Sequence, residues 1–213
     1  MKSSATGLVV RERGGVLEIL AGNVVLLSSA ALETELGFGR LAARLAGRPG
    51  PRVLIGGLGF GATLGGVLEG APPDARVVVA EKVPEVVPIV RGRIPRLLDD
   101  PRVTLAEVDV HEEMARSDAC WDCILLDVDN GPHWASFRTN ARLYSPAGLA
   151  AARRALAPGG FLAVWSGYAA DAFLPRLRQA GLVASCIPLH ERGRVRARAY
   201  VGTRPPGGPA DAI

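Results

Sequence analysis

Between residues 125 and 134 the sequence reads LLDVDNGPHW. An apolar run gives way to Asp127, Asp129 and Asn130, then to a Gly131-Pro132 break followed by His133 and Trp134. Carboxylates delivered by a strand into a stiff loop can orient a substrate or accept a proton, and an imidazole there titrates near neutral pH. Asn130 can orient a group through its carbonyl and amide, but it cannot serve as a general base. Asp129 is expected to turn in only if the loop twists; turned inward, it is the substitute base. Each of these residues also has an ordinary role. Asp127 can cap a turn, His133 can face solvent, and Trp134 can be core or lid, where its ring would attract a cation. Tyr144 is either a packing residue before a helix or a phenol that faces the site.

A second group precedes this one. VLIGGLGFGATL carries Gly57, Gly59 and Gly61 with Phe60 among them, just before a helical stretch. Such glycines let the backbone turn tightly and approach a ligand near a helix N-terminus. The next strand-like run ends in Glu81, at the distance expected of a carboxylate that accepts from both hydroxyls of a ribose. The one after it ends in Asp109, placed to meet an adenine amine. Lys82 and Val110 adjoin these carboxylates and are counted with them as ligand-binding positions, as is Asp127. Glu33 and Glu35 lie ahead of the glycine loop; the alternatives are that they close the pocket or that they stand on a solvated helix face, and the solvated face is expected.

These residues need a sheet to hold them. Continuous apolar runs at RVLIGG, ARVVVAE, RVTLAEVD, CILLDVD, GFLAVWS and LVASCIP predict strands. Helices are predicted over residues 31–46, 62–69, 84–98, 145–156 and 171–180. Strands alternating with helices imply an α/β fold whose parallel sheet is covered on both faces. RARAYVGT predicts a last strand, paired antiparallel with LVASCIP. Ahead of the sheet, GLVVRER, GVLEIL and NVVLLSS read as short strands separated by Gly-Gly and Gly-Asn turns. The expected organisation is an N-terminal β element over residues 1–30, one domain over 31–203, and a disordered tail over 204–213.

The chain has 213 residues, a net charge of +4 and a basic excess that is almost wholly arginine. The arginines are spread along the sequence, so a scattered basic surface is expected instead of a nucleic-acid arm. No apolar run is long enough to span a bilayer, and MKSSATGLVV lacks the pattern of an export signal. A cytoplasmic protein with three reduced cysteines is expected. Cys120 and Cys123 form a CxxC with no second pair at metal-ligand spacing, so no metal is expected. The expected partner is a small-molecule substrate, with a homodimer as the open alternative to a monomer.

VLIGGLGFGATLGGVLE, VVVAEKVPEVV, LLDDPRVTLAEVD, WDCILLDVDNGP, LYSPAGL and LAPGGFLAV resemble, in order and spacing, the core of the spermidine synthase-like proteins. The resemblance covers about residues 50–165. It implies a Rossmann-like, seven-stranded class I methyltransferase fold with a short N-terminal β-hairpin element. It also implies an adenosyl sulfonium ligand, with Glu81 on the ribose and Asp109 on the adenine. The departures carry further information. Phe60 stands where the spermidine synthase loop GGGDGG has its Asp. Asn130 stands at the second Asp of the motif D-x-x-D, whereas Asp127 matches the first. The Tyr-His element of the polyamine pocket is also missing.

Two carboxylates that handle cationic amines are therefore absent. Intact S-adenosylmethionine carries a carboxylate that such Asp side chains would repel by roughly a few kcal/mol at low effective dielectric. Their replacement favours the intact ligand over its decarboxylated form. The expected enzyme attacks the γ-carbon of the aminopropyl chain and releases methylthioadenosine. The nucleophile is an external acceptor or the ligand's own amine or α-carbon, the latter two giving an azetidine or aminocyclopropane carboxylate. The alternatives are a methyltransferase, an aminopropyltransferase using the decarboxylated ligand, and a non-catalytic nucleoside-binding protein.

Overall fold

A computed structural model describes residues 2–3, 8–29, 32–128, 131–132 and 138–207. Lys2–Ser3 (β1), Leu8–Arg13 (β2), Val16–Ala21 (β3) and Val24–Ser28 (β4) pair in chain order as a four-stranded antiparallel sheet. The expected hairpin element is thus a small sheet. Gly14 and Gly15 between β2 and β3, with Gly22 after β3, supply the positive φ angles that two-residue hairpin turns demand. Leu8 and Ile19 are buried in the same apolar cluster as Phe38 and Val53, so this sheet packs onto the main body.

The main sheet is built from the apolar runs. Arg52–Gly56 (β5), Arg76–Ala80 (β6), Val103–Ala106 (β7), Trp121–Leu126 (β8) and Leu156–Ser166 (β9) run parallel. Val183–Glu191 (β10) and Arg194–Thr203 (β11) form the expected antiparallel hairpin, and β11 pairs antiparallel with β9. The order is β10-β11-β9-β8-β5-β6-β7. The order in which strands are added reverses at β5, whose neighbours are β6 on one side and β8 on the other. Ligands bind beyond the carboxyl ends of the strands at such a switch point.

Seven α-helices are described. Leu32–Gly39 (α1), which runs into a 3-10 segment Arg40–Leu45, lies against Ala62–Gly70 (α2). A Cβ at Gly39 would strike the α2 backbone, and one at Gly66 would strike that of α1. The two helices therefore meet backbone to backbone, and only glycine permits it. The helix expected over 84–98 is divided into Val86–Arg91 (α3) and Pro95–Leu98 (α4). Pro95 has no N–H to donate and drives Ile94 out of the helical region, where it sits at φ −126° and ψ 44°.

Val110–Arg116 (α5) was not expected; Asp109 caps it by accepting from the His111 N–H at 2.8 Å. Pro146–Ala155 (α6) is capped by Ser145, and Phe173–Gln179 (α7) matches its expected position. The expected disordered tail begins too early at residue 204. Arg204 exchanges main-chain hydrogen bonds with Gly159 and Gly160 and reaches the Leu156 carbonyl at 2.5 Å. Residues 208–213 lie outside the described residues.

Candidate functional site

The carboxyl ends of β5, β6 and β8, together with the segment after β7, converge on one cleft. Its walls are apolar, from Leu27 of β4, Val83, Val86, Val110 and Val128. Its polar groups come from Gly57, Gly59, Glu81, Lys82, Asp109 and Asp127. Six of the expected ligand positions plus Val110 are thus brought together. Gly61 and Phe60 stand apart from the lining: Gly61 caps α2 in the left-handed conformation, and Phe60 packs half-buried on the main core.

The glycine loop is shaped by two different demands. Gly57 has φ +91°, and a Cβ there would lie 2.5 Å from the Asp127 carbonyl oxygen, so the loop presses on the end of β8. Gly59 has φ +51° with nothing within 4 Å of a Cβ position, so it leaves open space at the cleft. Glu81 is buried and fixes this loop. Its two oxygens accept from the Leu58 N–H at 3.0 Å and the Val83 N–H at 2.8 Å. Each oxygen has a further lone pair for a hydroxyl donor.

Asp109 divides its oxygens between the α5 cap and Arg142, whose guanidinium donates to it at 2.8 Å. Lys82 donates to Asn140. Both partners belong to the 3-10 segment Arg138–Tyr144, which therefore crosses the mouth of the cleft. The enclosed volume is about 60 Å³, against roughly 300–1,000 Å³ for ordinary ligand pockets. The Arg142 side chain is 42% exposed, so its ion pair is worth only about 0–1 kcal/mol and an amine displaces it at little cost.

Asp127 is half-buried, and Thr63 Oγ1 donates to its Oδ2 at 2.6 Å. The close approach of α1 and α2 also brings the Glu35 carbonyl within 3.4 Å of that hydroxyl. Glu35 is not on the expected solvated face: it is half-buried beside Asp127. Burial first, and then the charge of Asp127, push its carboxyl up to about 9. Burial raises Asp127 to about 6, against the opposing hydrogen bond from Thr63. Near neutral pH the pair therefore holds one proton. Sequence reasoning named Glu35 as able to close the pocket but favoured the solvated face, because nothing local signals that α1 sits on α2; the paired glycines Gly39 and Gly66 were the available clue.

Tyr144 is a core residue. It is 1% exposed, packs edge-on against Phe173 with ring centroids 6.0 Å apart, and does not line the cleft. This corrects its placement as a candidate catalytic phenol: Ser145 starts α6 and leaves the preceding ring under the helix. Asp129, Asn130, His133 and Trp134 lie outside the described residues. Gly131 is buried against the Ser166 hydroxyl and the Tyr168 ring, so the loop after β8 passes over the end of β9. Cys123 is buried in β8, where burial raises its thiol well above its ordinary range. Among the described residues, no group of three His, Cys, Asp or Glu side chains could hold a metal ion.

No protein-family model matches the sequence, and no curated protein does. Solved structures do. A probable spermidine synthase from Corynebacterium glutamicum matches with a TM-score of 0.64 and 18% identity, over 92% of this chain and 76% of that one. Human methyltransferase-like protein 13, in complex with SAH, matches with a TM-score of 0.62 and 18% identity, over 85% of both chains. The fold is that of the class I methyltransferases. The same fold is matched in the spermidine synthase from Thermotoga maritima, with a TM-score of 0.68 at 15% identity over 92% of this chain. The present chain spans 67% of that protein and 65% of a spermidine synthase solved with the transition state analogue AdoDATO. No helix among the described residues is long and apolar enough to cross a membrane.

Proposed function

We propose that this chain is a transferase that uses intact S-adenosylmethionine, with a nucleophile attacking the γ-carbon of the aminopropyl chain and methylthioadenosine leaving. The observation that carries this reading is the set of carboxylates around the glycine loop. Glu81 and Asp109 border an apolar cleft, and Asp127 stands on its wall at the end of β8. The cleft fits the ligand chemically. Glu81 keeps free lone pairs for a ribose, and Val83, Val86 and Val110 offer apolar faces to a base.

The proton held by Glu35 and Asp127 supports the intact ligand. A pair that carries one negative charge repels the ligand's carboxylate less than two would, and Asp127, on the cleft wall, is an acceptor for its ammonium. Two ionised carboxylates in the same place would favour the decarboxylated form. What the ligand supplies is an electrophilic carbon beside a sulfonium. The protein's part is to align the nucleophile and receive its proton. In this proposal Asp127 organises the edge, Asn130 orients the reacting group, and Asp129, His133 or Asp127 itself takes the proton.

Methyl transfer is the second reading, because the same fold is matched in a methyltransferase-like protein solved with SAH, over 85% of that chain. The nucleoside product separates the two. Incubating the protein with S-adenosylmethionine, alone and with candidate acceptors, should release methylthioadenosine by mass spectrometry. S-adenosylhomocysteine would instead establish methyl transfer, and binding without either product would establish a non-catalytic protein.

A further inference from the structure

A groove of about 600 Å³ opens between α1, the end of β9 and the β10–β11 turn. Three guanidinium groups line it, from Arg192, Arg194 and Arg196, against one carboxylate, Glu191. Among the described residues none of the three guanidiniums has a hydrogen-bond or ion-pair partner; Arg192 is tied to Glu33 only through its backbone N–H, at 3.1 Å. The three arginines are neighbours in sequence, within RGRVR at residues 192–196, and the hairpin turn holds them in one groove. A local irregularity helps to gather them. The β10–β11 register slips between Leu189 and His190, so that Ala197 pairs with Leu189 but Val195 with His190. Arg196 is the extra residue of this bulge, a device that re-aims side chains beside functional sites. On a regular strand Arg196 would face away from Ala197; the bulge puts it, with Arg194, in the same groove as Trp165.

Trp165 forms part of the groove wall and is 6% exposed. Its indole Nε1 is the one buried side-chain nitrogen or oxygen without a partner among the described residues. A buried donor left unpaired costs free energy that an acceptor in the groove would recover. Thr34 on the groove wall precedes Glu35 in the sequence, and Trp165 precedes Ser166, the residue against which Gly131 packs.

We propose that this groove binds the anionic group, a carboxylate or a phosphate, of an external small-molecule acceptor. The acceptor role rests on the transferase reading above; the anion site rests on the arginines alone. Three guanidiniums with no partner among the described residues offer planar, forked donors suited to such oxygens. They repel a polycationic amine, and a built site for a second substrate makes intramolecular cyclisation unnecessary.

Calorimetric titration of the full chain with inorganic pyrophosphate and with malonate, at constant ionic strength, tests the proposal. The tighter probe identifies the headgroup as phosphate or carboxylate. The Arg194→Gln/Arg196→Gln double variant should bind the preferred probe at least about tenfold more weakly, as loss of charge-assisted hydrogen bonds requires. Glu191→Gln should bind it more tightly, which a merely structural contribution would not produce. S-adenosylmethionine affinity should be the same in all three proteins. Failure of both probes to bind, or equal binding by the double variant, overturns the anion site. If the probes bind and S-adenosylmethionine does not, the transferase reading and the acceptor role fall while the anion site stands.

Discussion

Replacing Glu35 by glutamine should flatten the pH dependence of stability above pH 6. In the folded protein this carboxyl is pushed up to about 9 by burial and by Asp127, from an ordinary value of 4.5. Between those values the folded state holds a proton that the unfolded state has released. Unfolding free energy therefore falls as pH rises, by roughly 1.4 kcal/mol per pH unit for one full proton. From pH 6 to pH 8 the parent should lose about 2–3 kcal/mol through this group. Asp127, raised to about 6, contributes mainly below that window. The amide introduced by Glu35→Gln has nearly the same volume and no charge to desolvate, so the variant should lose much less. Urea unfolding followed by circular dichroism at pH 6, 7 and 8 measures both curves. Asp127 titrates together with Glu35, so the difference between the slopes reports the proton held by the pair. Parallel curves would refute the buried, protonated carboxyl and with it the preference for intact ligand built upon it.

Three further outcomes follow from the cleft. Glu81→Ala should weaken S-adenosylmethionine binding by about 1–3 kcal/mol, since it leaves ribose hydroxyls and two loop N–H groups without their acceptor; calorimetry reads this directly. Arg142→Ala should change the same affinity by less than about 1 kcal/mol, because its pair with Asp109 is partly exposed; a larger loss would make Arg142 a ligand contact. In competition at neutral pH, intact S-adenosylmethionine should displace its decarboxylated form, and tighter binding of the decarboxylated ligand would restore the polyamine reading.

The regular sheet was legible because its strands are buried on both faces, which forces continuous Val, Ile and Leu runs that helices interrupt. The same economy made the cleft legible. In a parallel sheet every strand ends at the same edge, so Glu81 and Asp127, with Asp109 just past β7, had to lie near the glycine loop once the strands were recognised. Local chemistry could mislead where two demands compete. Asp109 reads as a ligand carboxylate but also caps α5, and Pro95 divides a segment whose apolar spacing suggested one helix. Tyr144 looked available until α6 and Phe173 closed over it.

Contacts between elements far apart in sequence were decided only in the tertiary structure. Glu35 and Asp127 are separated by most of the glycine-loop unit, and no periodicity records that α1 rests on α2 through Gly39 and Gly66. Burial and one neighbouring charge then turn an apparently solvated glutamate into a proton carrier. The arginines follow the same rule. The sequence already clusters three of them in RGRVR at residues 192–196, but only the hairpin and its one-residue bulge place them beside Trp165. Sequence determines which residues can bury and which can ionise; the fold determines which of them share a dielectric, and so what charge they carry.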